Sequence, residues 1–317
     1  MILPASPATP ATPATGQTQA TGMIALFTRR FLEHRLALGS ALVLVILAIF
    51  ALAAPIYEWT MGVNANAVDL SLRLLGPSSA HPLGTDELGR DLLARLLYGG
   101  RVSLMVGIAA ALASAVIGTV IGLIAGYYGG KFDAFLMRIT DGVIALPLLP
   151  LLIVLAAVDL TKLGLPESLA NDPDISLYRI VIIIALVSWT TVARLVRSAA
   201  LSVREREYVM AATVAGAGPL RIMAVHILPN VVSPIIVATT LSVGNVILLE
   251  SVLSFLGLGI QPPIASWGNM LTGAQELIWT TPMLVFWPGQ LIFLTVIAFN
   301  FLGDGLQDAL DPRAITR

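Results

Sequence analysis

The chain has 317 residues, 57% hydrophobic and 12% charged, with a net charge of −1 and a mean hydropathy of +0.88. Soluble proteins carry about 25% charged residues, so this chain has more apolar surface than a soluble core can hide, and an apolar solvent is implied. The near-zero net charge gives no field that would favour nucleic acid, and the absence of cysteine excludes disulfides, thiol catalysis and thiolate metal sites.

Residues 1–24 are expected to form a disordered tail. Up to Gly22 they are rich in Pro, Ala and Thr, uncharged, and have little to bury. No basic segment opens them, so a cleaved signal is not expected. A basic stretch follows with Arg29, Arg30 and Arg35, and then an uncharged run from 36 to 56 that is long enough to cross a bilayer. Residues 57–98 are polar and mixed, and they predict a loop ending in an amphipathic helix over 86–98. Its apolar stripe is Leu88, Leu92, Leu93, Leu96 and Leu97.

A second span is predicted over 102–126. Gly118, Gly122 and Gly126 recur in it at four-residue steps, a spacing that lets helix backbones approach closely at a seam. The third span, 134–158, contains Pro147 and Pro150 and should be kinked. The fourth, fifth and sixth are predicted over 177–196, 231–256 and 283–302. The fold class is therefore all-α, a polytopic membrane protein with about six transmembrane helices.

Lysines and arginines set the orientation. With the N-terminus in the cytoplasm, the inner segments hold Arg29, Arg30, Arg35, Lys131, Arg138, Arg194, Arg197, Arg204, Arg206, Arg221, Arg313 and Arg317. The outer segments hold Arg73, Arg90, Arg95, Arg101, Lys162 and Arg179. A bias of about two to one favours both termini inside.

Between the fourth and fifth spans, residues 197–230 are too polar to enter the bilayer and too long for a plain connector. Residues 201–215 read as a helix stopped by Gly216, Gly218 and Pro219. A second helical piece, 221–228, should end at Pro229. Such a helix lying at the membrane surface suits the docking of a cytosolic partner.

This stretch resembles the cytoplasmic EAA loop of ABC importer permeases. Ala211, Ala212, Gly216, Leu228 and Pro229 stand at the motif's places. Met210 replaces its glutamate and His226 its isoleucine. The run His226 to Asn230 (HILPN) is similar to the peptide-importer branch. Further motifs carry the same resemblance: His81 to Asp91 (HPLGTDELGRD), Leu249 to Gly259 (LESVLSFLGLG), Ser266 to Met270 (SWGNM), Phe299 to Gly305 (FNFLGDG) and Leu310 to Arg313 (LDPR). The chain is identified as a member of the dipeptide, oligopeptide and nickel importer permeases of the C type, over about residues 25–313.

The resemblance implies the type I ABC importer permease fold. It also implies a division into a tail (1–24), a first helix with outer loop and amphipathic helix (25–100), a five-helix core (101–306) with its coupling loop at 198–229, and a cytoplasmic tail (307–317). It implies a heterodimer with a second homologous permease, two cytosolic ATPases that carry ATP and Mg, and a periplasmic or lipid-anchored binding protein, all at the bacterial inner membrane. ATPase coupling would rest on Glu205, Glu207, Tyr208, Ala211, Ala212, Gly216 and Pro229. The polar contact of the missing glutamate falls to Glu205 or Glu207, and Gly216 would serve a tight turn. The chain itself is not expected to be an enzyme or to bind a cofactor. Its lysines, Lys131 and Lys162, are followed by Phe132 and Leu163, so neither sits in a P-loop.

Charges in the spans are few, and such charges mark function by default. Glu250 either lines the translocation pathway or is a carboxylate hydrogen-bonded within the bundle. Asp141 is expected to anchor a span end, and Arg179 and Arg194 to snorkel. His34, His81 and His226 lack metal-ligand spacing. Peptides are the first expectation for the solute, with nickel complexes or another small solute as the alternative. An ion-coupled secondary transporter is a weaker rival, because no clear internal repeat is visible. A membrane scaffold would leave the ordered loop unexplained, and a membrane enzyme would need a catalytic set that is not seen.

Overall fold

The computed structural model describes residues 23–170 and 172–310, so the expected tail before Met23 and the motif end at Asp311–Arg313 lie outside the described residues. Among the described residues there are helices and no strands beyond one isolated bridge, Thr85 to Asp91. Helix α1 (Met23–Glu33) precedes α2 (Arg35–Leu52) and α3 (Ala54–Met61); Met23 and Ile24, expected in the tail, open α1. Then come α4 (Leu92–Tyr128), α5 (Gly130–Ala145), α6 (Leu148–Ala156) and the single turn α7 (Glu167–Ala170). Helix α8 (Pro173–Arg204) is followed by α9 (Glu207–Val214) and α10 (Pro219–Arg221). A π-helical turn (Ile222–Ile227) leads into α11 (Leu228–Phe255), and α12 (Ala274–Leu277) and α13 (Met283–Leu310) complete the order. Five helices are long and apolar enough to cross a membrane, and six spans result if the bent pair α5–α6 is one.

The spans alternate in direction. One end of the bundle gathers α1, the α4–α5 turn, residues 204–227 and the end of α13; it is called the terminal end. The other, the loop end, gathers 54–91, 157–172 and 256–282.

Three expectations about the elements are corrected. First, residues 86–98 are not a separate amphipathic helix. Asp86 accepts from the backbone N–H of Leu88 (2.9 Å) and Arg90 (3.0 Å), which builds a turn. Asp91 then caps a helix through Ala94 N–H (2.7 Å), and that helix runs unbroken into the second span. Gly99 and Gly100 do not stop it, because they are where Trp267 packs. Second, 201–215 is not one helix: α8 ends at Arg204, Arg206 is extended, and α9 starts afresh. Third, Pro229 ends nothing. The preceding turn widens to a π turn in which Leu228 N–H reaches Met223 C=O, and Pro229 falls in the first turn of α11, where no N–H is required. The expected kink of the third span is an 87° break at Leu146 and Pro147.

The core is organised by α4 and α8. At Gly118, Gly122 and Gly126 the α8 backbone comes so near that an added Cβ would lie 2.6 Å from Trp189 O, Ala193 O and Ala200 Cβ respectively. The seam expected from the glycine spacing is thus formed against α8. Around it, Val106, Ala110, Ile180, Ile184, Val243 and Ile247 interlock α4, α8 and α11. Helices α11 and α13 pack together, and α2 lies on α13 and α4. At the loop end, Asp91 also accepts from Tyr57 Oη (3.4 Å) and lies 2.9 Å from His81 Nδ1. Burial, and then the Asp91 carboxylate, push the Tyr57 phenol up to about 12.

Two predictions follow from this packing. Gly122→Ala should lower stability by about 1–3 kcal/mol through overpacking, seen as a lower unfolding midpoint in detergent. Gly39→Ala, with open space around Cβ, should not. In a spectrophotometric titration, one tyrosine should ionise near pH 12 and be lost in Tyr57→Phe. Because the folded form holds that proton longer, stability should fall as pH rises from the usual phenol range through that value.

Candidate functional site: a surface helix at the terminal end

The chain that leaves α8 is first fastened. Arg204 Nη1 donates to Tyr127 C=O at 2.8 Å, and Arg197 makes a two-pronged pair with Asp133 at the start of α5. Glu205 closes α8, and its N–H bonds back to Val203 C=O. Extended Arg206 turns the chain, and Glu207 opens α9 with its carboxylate at the positive helix end.

Helix α9 sits on the bundle through one residue. Val209 is 2% exposed and packs with Ile222, Met223, Ile227 and Val231 beneath it and with Val196 and Ala200 of α8. The other faces are open: Tyr208, Met210, Ala211, Thr213 and Val214 are exposed, Val214 by 89%, and Leu220 beyond the turn by 80%. Gly216 has φ +84, and it closes α9 by two bonds: its own N–H to Thr213 C=O and Ala217 N–H to Ala212 C=O, both 3.0 Å. This is a Schellman closure, which needs a left-handed residue at that place. No atom lies within 4 Å of a Cβ built on Gly216. Backbone geometry, not crowding, asks for glycine there.

Of the residues singled out from sequence, Glu205, Glu207, Tyr208, Ala211, Ala212 and Gly216 therefore share one small capped unit. Pro229 stands apart, at the foot of α11. Sequence reasoning missed Val209 as the anchor and Met210, Val214 and Leu220 as exposed apolar side chains. The available signal was that α9 is rich in apolar residues, EYVMAATV, although it lies between polar stretches outside the spans.

Glu250 is elsewhere. It has no exposed surface, and its carboxylate accepts from Ser254 Oγ at 2.7 Å, with Ser103 Oγ and Ser251 Oγ at 3.4 and 3.5 Å. Ser103 Oγ also accepts from Trp267 N–H (3.1 Å), and Ser254 Oγ from Ile260 N–H (3.1 Å). Trp267 Nε1 in turn donates to Leu96 C=O at 3.0 Å. One carboxylate thus ties α4, α11 and the loop-end segment 260–267 together. Asp141 pairs with Arg194 across α5 and α8. Arg179 Nε is buried without a hydrogen-bond partner among the described residues.

The histidines are far apart and separately engaged. His34 Nδ1 accepts from Ala37 N–H (3.1 Å), His81 faces Asp91, and the C=O of His226 accepts from Asn230 (2.8 Å). No group of three or more His, Asp or Glu that could hold a metal is found among the described residues.

Glu250→Leu should cost about 1–3 kcal/mol by leaving buried hydroxyl donors unmatched, and Glu250→Gln clearly less. The check is the thermal midpoint of the purified protein.

The family model described as "Binding-protein-dependent transport system inner membrane component" matches residues 118–316. The chain is 42% identical over 293 residues to the oligopeptide transport system permease protein OppC of Escherichia coli K12, covering 90% of this chain and 89% of that one. It is 40% identical over 275 residues to the nickel transport system permease protein NikC of the same organism, covering 87% and 94%. OppC of Salmonella typhimurium is 41% identical over 291 residues, covering 90% and 89%. The chain is a multi-pass membrane protein that belongs to the family of binding-protein-dependent transport system inner membrane components.

Proposed function

We propose that this chain is one of two permease halves of an ATP-driven importer of peptides, with both termini in the cytoplasm. The observation that carries this reading is α9. It is a capped helix held to the bundle by a single buried side chain, with Tyr208, Met210, Val214 and Leu220 facing outward. In a globular protein such apolar residues would turn inward, and a patch of them at the surface is a docking face. The partner is a cytosolic ATPase, one for each permease half, and ATP and Mg belong to it. Met210 supplies apolar contact where related loops carry glutamate, and Glu207 at the start of α9 supplies the negative charge.

The coupling mechanism follows from stiffness. Helix α9 rests on the π turn and on α8, and both lead directly into spans. A push on α9 is therefore delivered to α8 and α11 as rigid-body motion. Alternating access results when two such halves rock against each other. A substrate-binding protein outside would deliver the solute.

Peptide is favoured by the likeness to oligopeptide permeases. A nickel complex is the second reading, favoured by the likeness to the nickel permease. Uptake into vesicles by the complete importer, supplied in turn with a mixture of tri- to pentapeptides and with chelated nickel, separates them.

Docking is tested by copurification in mild detergent. The wild type should bring down a second permease and an ATPase. Gly216→Val, forced to hold a branched residue at positive φ, should lose the ATPase and keep the permease. Gly216→Asn, which tolerates that region, should retain both. Recovery of the chain alone from the wild type would sink the importer reading.

A further inference from the structure

Among the described residues, a recess with uncharged polar residues in its wall opens in the middle of the bundle. A cavity of about 360 Å³ opens where α5 breaks into α6 and is walled by α8 and α11. Ser188 and Thr191 line it from α8, and Ser242 and Asn245 from α11. The remaining wall is apolar, including Val143, Leu146 and Leu148 at the break.

Hydroxyls in membrane helices commonly bond back to a carbonyl one turn earlier. This protein does so at Thr239, Thr240, Ser242 and Thr295, with distances of 2.7–2.9 Å. Ser188, Thr191 and Asn245 do not; their side chains make no hydrogen bond to any described residue. Thr191 and Asn245 are exposed on the protomer surface in the central parts of their spans. Facing hydrocarbon there, an unpartnered carboxamide would be strongly unfavourable.

The helix break is an independent sign. Leu146 and Pro147 are extended, so the helical ladder of α5 stops there, with Leu146 N–H bonding back to Val143 C=O (3.3 Å) and no further turn to serve the carbonyls that follow. Irregular backbone at membrane depth is tolerated where protein buries it or it lines a water-filled cavity. In secondary transporters, discontinuous helices of this kind help form the solute site.

We infer that this recess is a solute-binding station on the translocation pathway, and that it holds neutral backbone amide groups of a peptide. The inference rests on the importer reading and adds the residues and the chemistry. An amide offers one N–H and one C=O; Asn245 offers the complementary pair, and Ser188 and Thr191 each offer a hydroxyl that can donate or accept. The recess carries no charge of its own. Arg194 and Asp141, about one turn closer to the terminal end, pair with each other, and Glu250, which follows lining residue Leu249, is fully buried on its serines rather than part of the lining. Such a site recognises what every peptide shares and ignores side-chain charge. Metal ligands are not among its lining residues.

The absence of cysteine makes the test direct. Ser188→Cys, Thr191→Cys and Asn245→Cys are each assembled into the complete importer and treated with a charged, membrane-impermeant methanethiosulfonate. Val116→Cys on the exposed face of α4 is the control. Uptake of the peptide mixture by the wild-type complex is measured first and tests the importer reading alone.

The expected result is rapid labelling at 191 and 245 but not at 116. Labelling should slow several-fold when the peptide mixture is transported and be unchanged by chelated nickel. Equal labelling with and without peptide would overturn the inference, as would protection by nickel alone. So would silence at all three recess positions in a complex that still transports, since the partner permease then covers the recess. Ser188→Cys, nearly isosteric, keeps the test open if the Asn245 variant does not assemble. Failure of the wild type to take up peptide would remove the importer reading and this inference with it.

Discussion

Everything else in this protein hangs on the close approach of α4 and α8. In a bilayer there is no hydrophobic force between helices, because lipid is as apolar as leucine. What remains is dispersion, and it grows only when backbones come near. Gly118, Gly122 and Gly126 remove the side chains that would prevent it, and α8 seats its own backbone and Val192, Val196 and Ala200 against them. Helix α8 is then a fixed pillar. Its loop end carries the cap at Asp172, its middle presents Ser188 and Thr191, and its terminal end supports α9.

A second constraint works on the other side of α4. Glu250 is a carboxylate with no exposed surface, which would be expensive unless fully partnered. Ser254 and Ser103 partner it, and the same two hydroxyls hold the backbone of Ile260 and Trp267, while Ser251, close by, bonds back to Ile247 C=O (2.8 Å). Polar groups are thus spent on joining α4, α11 and the loop-end segment. Glycines again permit the fit: a Cβ on Gly268 would lie 2.6 Å from Ser251 Cα. The two seams leave the α5–α6 pair resting on α4 and α8, and its break opens onto the polar recess.

These features divide the molecule into a stiff frame and a place for motion. The dense seams make the frame stiff, and on the proposed function the π turn and α9 are where a partner would push on it. The recess lies beside the only bent pair of spans among the described residues. A machine that couples a surface push to a solute station needs that arrangement: rigid in between, compliant at the break.

The sequence alone determined the solvent, a count of about six spans, the glycine seam, the family, and a kink in the third span, which it assigned to Pro147 and Pro150 and the structure puts at Leu146 and Pro147, with Pro150 in the first turn of α6. Each of these is written in local composition or short periodic spacing, and neither depends on which helix lies next to which. It also marked Gly216, because a stop of that kind needs only its own turn. Tertiary structure decided the rest. The cap that Asp91 places on Ala94 is local, but its contact with Tyr57 and the packing of Glu250 and Val209 come from distant parts of the chain, so no window of sequence reveals that the first is held by α3, the second joins three elements and the third anchors α9. Pro229 looked like an end because a proline breaks an α-helix, whereas the widened turn before it places it in a first turn that tolerates the missing N–H. Ser188, Thr191 and Asn245 are ordinary residues in the chain. Only the packing of α5, α6, α8 and α11 leaves their hydrogen bonds unmade and gathers them at one break in the membrane.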